Sequence, residues 1–176
     1  MEQKQKKITG KQQQLYQHVK KLLQSRGVTT EEIAKITFTL QKDHLPQLTL
    51  EDCRIHVEQV LKKREVQNAI LTGIQLDILA EKKQLLSPLQ EMVEQDEGLY
   101  GIDEILSIAI LNVYGSIGLT NYGYIDKMKL GILKQLNNHQ DGQVHTFLDD
   151  LVGAIAASAA ARLAHNNPQD SFFMTD

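Results

Sequence analysis

The chain has 176 residues, a net charge of −3, 41% hydrophobic and 23% charged residues, and one cysteine. That length suits one domain with a sizeable core, and the charge gives no electrostatic case for nucleic acid. Cys53 alone excludes an intrachain disulfide framework, and with six scattered histidines it builds no zinc site.

The first ten residues are polar and Lys/Gln-rich, lack the apolar stretch of a signal peptide, and read as a flexible tail before a single domain over 11–176. Three prolines and 5% aromatics mark a composition poor in strand formers, so the expected fold is all-α. Gln17 to Gly27 ends in a glycine stop. Thr29 with Glu32 gives a capping box ahead of Ile33, Ile36 and Leu40. Thr49 with Asp52 repeats that spacing ahead of Ile55, Val57, Val60 and Leu61. Val66, Ile70, Ile74, Ile78 and Leu79 form a stripe at helical spacing, with Gly73 permitting close packing. Ser87-Pro88-Leu89-Gln90 places Ser at an N-cap and Pro at the first helical position.

Near residue 98 the composition shifts. Residues 11–97 read as outer amphipathic helices, and 98–166 as the core. Ile105 to Leu119 and Leu151 to Ala164 read as buried helices, because neither reaches the roughly 18 uninterrupted apolar residues of a membrane span. Thr146 with Asp149 is spaced to start the last helix. In that helix Gly153, Ala157 and Ala161 recur four apart, and its apolar surface runs nearly all round. It is expected to be the buried central helix, over approximately 147–165, of a compact bundle of six or more helices.

Three acidic segments stand in the second half: Ile102-Asp103-Glu104, Asp126-Lys-Met-Lys129 and Leu148-Asp149-Asp150. Taken singly, each has an ordinary explanation. Acids near a helix N-terminus are favoured by the backbone dipole, and Asp126 with Lys129 is spaced as a surface ion pair. Taken together they are more specific. Adjacent carboxylates that lead into apolar helix are costly unless a cation sits between them. An all-oxygen donor set suits Mg²⁺, which neutralises phosphate charge and activates water. Lys129 would grip a phosphate oxygen as a point charge. No Walker loop or dinucleotide motif is present, and Ser116 and Ser158 have no triad context. Thr120 to Tyr124 reads as a helix-to-helix turn or a site-lining loop, and His145 as a capping residue or an acid/base.

In the order and spacing of these motifs over roughly residues 100–165, the chain resembles the phosphatidylglycerophosphatase A family. It is most similar to the soluble YutG-like and low-temperature-requirement C branch. The resemblance implies an all-helical fold and Mg²⁺-dependent conversion of phosphatidylglycerophosphate to phosphatidylglycerol and phosphate. It implies Glu104, Asp149 and Asp150 as metal ligands, Asp103 and Asp126 as ligands or supporting groups, and Lys129 as the phosphate contact. The attacking group, an aspartate or a metal-bound water, stays open. The chain departs from the membrane-embedded branch at Gly123, where that branch carries Arg, and at Leu130, where it carries Pro.

The expected function is therefore a cytoplasmic Mg²⁺-dependent phosphomonoesterase whose substrate includes a lipid phosphate met at the inner membrane surface. The alternative is a non-catalytic helical regulator related to cold adaptation that keeps a metal site. A homodimer or higher oligomer is expected from apolar stripes on the first-half helices.

Overall fold

The computed structural model describes residues 2–138 and 142–166, with side chains described from residue 10. Among these, every regular element is a helix: α1 (Glu2–Ser25), α2 (Thr30–Gln41), α3 (Leu50–Leu61), α4 (Arg64–Glu81), α5 (Leu89–Glu94), α6 (Ile102–Leu111), α7 (Gly115–Met128), α8 (Leu133–Leu136) and α9 (Leu148–His165). The last ten residues of the expected domain lie outside the described residues. At the other end, α1 runs from Glu2, through the segment read above as a tail.

The central-helix expectation holds. Nearly every residue of α9 is buried, and α2, α3, α4, α6, α7 and α8 all pack against it. Alanine makes this possible: short side chains all round let neighbouring axes approach, and each alanine also carries the highest helix propensity. Gly73 on α4 meets α9 as expected. A Cβ there would stand 2.6 Å from Leu151 Cδ1 and 2.9 Å from Phe147 Cβ. Gly153 is less demanding, since its Cβ would meet only ordinary contacts, the nearest at 3.5 Å.

The caps divide. Thr29 accepts from the Glu32 backbone N–H, and Thr49 with Asp52 forms a complete capping box. Ser87 does not cap: the helix begins at Leu89, after Pro88 at the N-cap. Gln90 fixes this corner instead, accepting from Leu85 N–H and donating to the Ala80 carbonyl. Thr146 does not cap α9 either. Its hydroxyl donates to the Val93 carbonyl, tying the α9 entry to α5. The first N–H groups of α9 are met from elsewhere. Asp77 on α4, fully buried, accepts from Phe147 N–H through one oxygen and Leu148 N–H through the other, both at 3.1 Å.

Burial does not follow the composition shift at residue 98. Val19, Leu23, Ile33, Ile36, Val57, Val60, Ile70 and Ile74 of the first half are core residues. Ile105 to Leu119, expected as one buried helix, is broken at 112–114 before Gly115 (φ +74°). Much of it lies on the surface: Ile105, Ile108, Val113, Ile117 and Leu119 are all exposed. Thr120 to Tyr124 is not a turn but the middle of α7. Among the described residues, no helix is long and apolar enough to cross a membrane.

Candidate active site

Three helix ends meet at one pocket. The first turn of α6 brings Asp103 and Glu104, the last turn of α7 brings Asp126 and its C-cap Lys129, and the first turn of α9 brings Asp149 and Asp150. All six residues read from the sequence line a cavity of about 130 Å³. The helix ends explain why acids sit here. The N-termini of α6 and α9 present partial positive charge to the carboxylates, and the C-terminus of α7 presents partial negative charge to Lys129.

The pocket is strongly acidic. Asp96 and Glu97, from the α5–α6 connection, join the five acids named above, so seven carboxylates and one ammonium line it. Sequence reading missed this pair. The signal was the adjacent acids before Gly98, but only the fold turns that connection back over the site. Asp96 (φ +51°), Gly101 (φ +67°) and Lys129 (φ +44°) hold left-handed backbone around the pocket. For Asp96 and Lys129 this costs about 1 kcal/mol or more each.

Lys129 organises the centre. Its ammonium donates to Asp126 Oδ1 at 2.8 Å and Asp149 Oδ2 at 2.9 Å. The pair three residues apart is real, but it is one arm of a bridge to a buried carboxylate 20 residues on. Asp103 and Asp149 each turn one oxygen to the next residue's backbone N–H, Glu104 and Asp150 respectively, at 2.9 Å. Glu104 itself is exposed at the rim.

Charge balance in the pocket is incomplete. Burial pushes Asp149 up from the ordinary carboxylate range, with Lys129 pulling back. Burial also raises Asp103. Asp150 is pushed up to about 8, by burial first and by neighbouring Asp149 second. Burial alone would lower the Lys129 ammonium, but Asp149 and Asp126 outweigh it and hold it above its usual value. One lysine does not neutralise three buried acids.

Two hydroxyls behind the site, Ser107 and Tyr122, are buried without a hydrogen bond of ordinary geometry, and Tyr122 lies against Asp150. The donors are carboxylates and hydroxyls, with no thiol or imidazole among the lining residues. That set fits a hard divalent cation that keeps several waters. Among the described residues, no three His, Cys, Asp or Glu groups already stand as a ligand cage. The set fits Mg²⁺ in chemistry, and Lys129 occupies the electrostatic position that a cation would share.

Two residues weighed earlier stand apart. His145 is buried but does not line the pocket. Its Nδ1 faces Arg26 at 3.4 Å, in a network where Arg26 also donates to Glu81 and to the Val144 carbonyl. Gly123 has no heavy atom within 4 Å of where a Cβ would stand, so the fold leaves open space at this position.

An all-α bundle wrapped on an alanine-rich helix, with acids from three helix ends sharing one pocket, defines a helical protein with an acidic pocket. The family model for phosphatidylglycerophosphatase A matches residues 20–165, and the chain belongs to that family. It is 61% identical over 143 residues to the uncharacterized protein YutG of Bacillus subtilis, covering 81% of this chain and 86% of YutG. It is 57% identical over 148 residues to uncharacterized YpjQ of the same organism, covering 84% and 83%. The crystal structure of the low temperature requirement C protein from Listeria monocytogenes superposes with a TM-score of 0.84 at 60% identity, covering 86% of this chain and 95% of that one.

Proposed function

We propose that this protein is a Mg²⁺-dependent phosphomonoesterase that converts phosphatidylglycerophosphate, or a closely related phosphate ester, to the free alcohol and inorganic phosphate. The observation that carries this reading is the shared pocket. Three helix ends and the α5–α6 connection gather seven carboxylates around a single ammonium, three of them buried, an excess of negative charge that a divalent cation would relieve. Membership of the phosphatidylglycerophosphatase A family supports phosphate-ester chemistry.

In this reading Glu104, Asp149 and Asp150 hold the metal. When bound, the metal neutralises phosphate charge and polarises the P–O bonds. The other residues bind and orient. Lys129 gives up part of its contact with Asp126 and Asp149 to grip a phosphate oxygen as a point charge. Asp126 and Asp149 keep that ammonium aimed into the pocket. Asp103, which accepts from the Glu104 N–H, lines the same pocket.

The test is phosphate release from phosphatidylglycerophosphate and from soluble phosphate esters, with and without Mg²⁺. The expected result is Mg²⁺-dependent release that falls by about 10³-fold or more in Asp149→Ala plus Asp150→Ala, the scale for losing a metal's charge stabilisation. Release that survives this double substitution would sink the site assignment. One observation favours the non-catalytic regulator reading: Lys129 is already engaged by two of the acids, so its ammonium is committed within the protein rather than to a substrate phosphate. That reading predicts strong thermal stabilisation by Mg²⁺ with no release from any ester.

A further inference from the structure

From Ile105 to Ile125 the chain runs 21 residues without one Asp, Glu, Lys, Arg or His. A buried helix would explain this, but α6 and α7 are not buried. Both pack one side on α9. Away from it, the two helices and the turn between them present Ile102, Ile105, Ile108, Val113, Ile117, Tyr124 and Met128, each between 38% and 59% exposed. Among the described residues, most of the exposed large apolar side chains lie on this pair, whereas α1 to α4 expose only Ile55. The spacing is that of a designed face. Ile102, Ile105 and Ala109 recur on α6, and Ile117, Tyr124 and Met128 on α7, at helical intervals.

These seven side chains leave on the order of 700 Å² of largely apolar surface in water. That sum is close to the ~800 Å² that each partner buries in a stable dimer. We infer that the outer face of α6 and α7 is the interface with a second copy of this chain. The first-half stripes, which suggested self-association from sequence, are spent inside the fold.

Charge selects this occupant over a lipid surface. Helices that lie on anionic bilayers flank their apolar face with Lys and Arg. Here the charges at the ends of α6 and α7 are Asp103, Glu104, Asp126, Lys127 and Lys129, three negative against two positive, and Lys129 is already tied to Asp126. A two-fold interface must be complementary to itself, so charges at its centre would meet their own kind. A neutral apolar centre with one aromatic and a charged rim satisfies that requirement. The α6–α7 hairpin meets the acidic pocket at its open end, so the interface borders the pocket through Ile102 and Met128. The interface is independent of the phosphatase reading.

The experiment is sedimentation velocity on the full chain at micromolar concentration, beside flotation with vesicles of phosphatidylglycerol and phosphatidylcholine. The expected result is a species of twice the 19.9 kDa chain mass that does not float. Ile105→Glu with Ile117→Glu should give a monomer with unchanged helical circular dichroism. If that pair fails to fold, Ile105→Ala with Ile117→Ala removes the side chains without opposing helix formation and should raise the dimer dissociation constant about tenfold or more. A monomeric wild type overturns the inference. So does a dimer unchanged by both pairs, and so does wild-type flotation that the substitutions abolish.

Discussion

Asp150 carries the sharpest consequence at the scale of single residues. Burial and Asp149 push its pKa up to about 8, and Asp77 is likewise pushed up to about 8 by burial. An unfolded aspartate titrates near ~3.9. Between these values the folded chain holds protons that the unfolded chain has released, so stability should fall as pH rises from about 4 towards about 8. Thermal melts of metal-free protein at pH 5.5 and 8 check this, with the lower pH expected to be the more stable. Asp150→Asn should flatten the slope and raise stability at pH 8 by on the order of 1–2 kcal/mol, because it removes a buried charge with only partial compensation. The same variant should lose Mg²⁺-dependent phosphate release. A residue whose removal stabilises the fold and abolishes activity is kept for function.

Among the elements, α9 depends on a cap that no local sequence could reveal. Asp77 stands 70 residues before the Phe147 N–H it accepts from. Asp77→Ala should strand two buried N–H groups at the helix start and cost about 2–4 kcal/mol, read as a shift in the urea midpoint. Asp77→Asn, which keeps one acceptor, should cost less. This marks where sequence reasoning ends. Caps whose partner lies three residues away, at Thr29 and Thr49, were legible, as were the alanine face of α9 and the close approach at Gly73. Thr146 looked like a cap by spacing alone, yet its hydroxyl serves Val93. The acidic set was legible because it lies at helix starts in chain order. Asp96 and Glu97 were not, because the α5–α6 connection carries no periodicity to say which way it folds. Composition also misjudged Ile105 to Leu119, since an apolar helix reads alike whether its own chain or a second copy covers it.

For the whole molecule, the fold sets an uncharged scaffold behind a charged pocket. The largely buried α9 carries Asp149 and Asp150, and α6 and α7 bring Asp103, Glu104, Asp126 and Lys129 to its N-terminal end. Asp77 and Thr146 hold that end in register with α4 and α5. The five acids at the helix ends are thus carried on helices, and only Asp96 and Glu97 come from a connection, which suits a site needing ligands in fixed positions. The central claim is that this pocket holds Mg²⁺, and its most direct test is a crystal structure grown with magnesium. The account predicts an ion between Glu104 and Asp149/Asp150, with carboxylate oxygens at ~2.1 Å and several waters completing the octahedron. A pocket in which Lys129 still bridges Asp126 and Asp149, with no ion beside it at saturating magnesium, would contradict it.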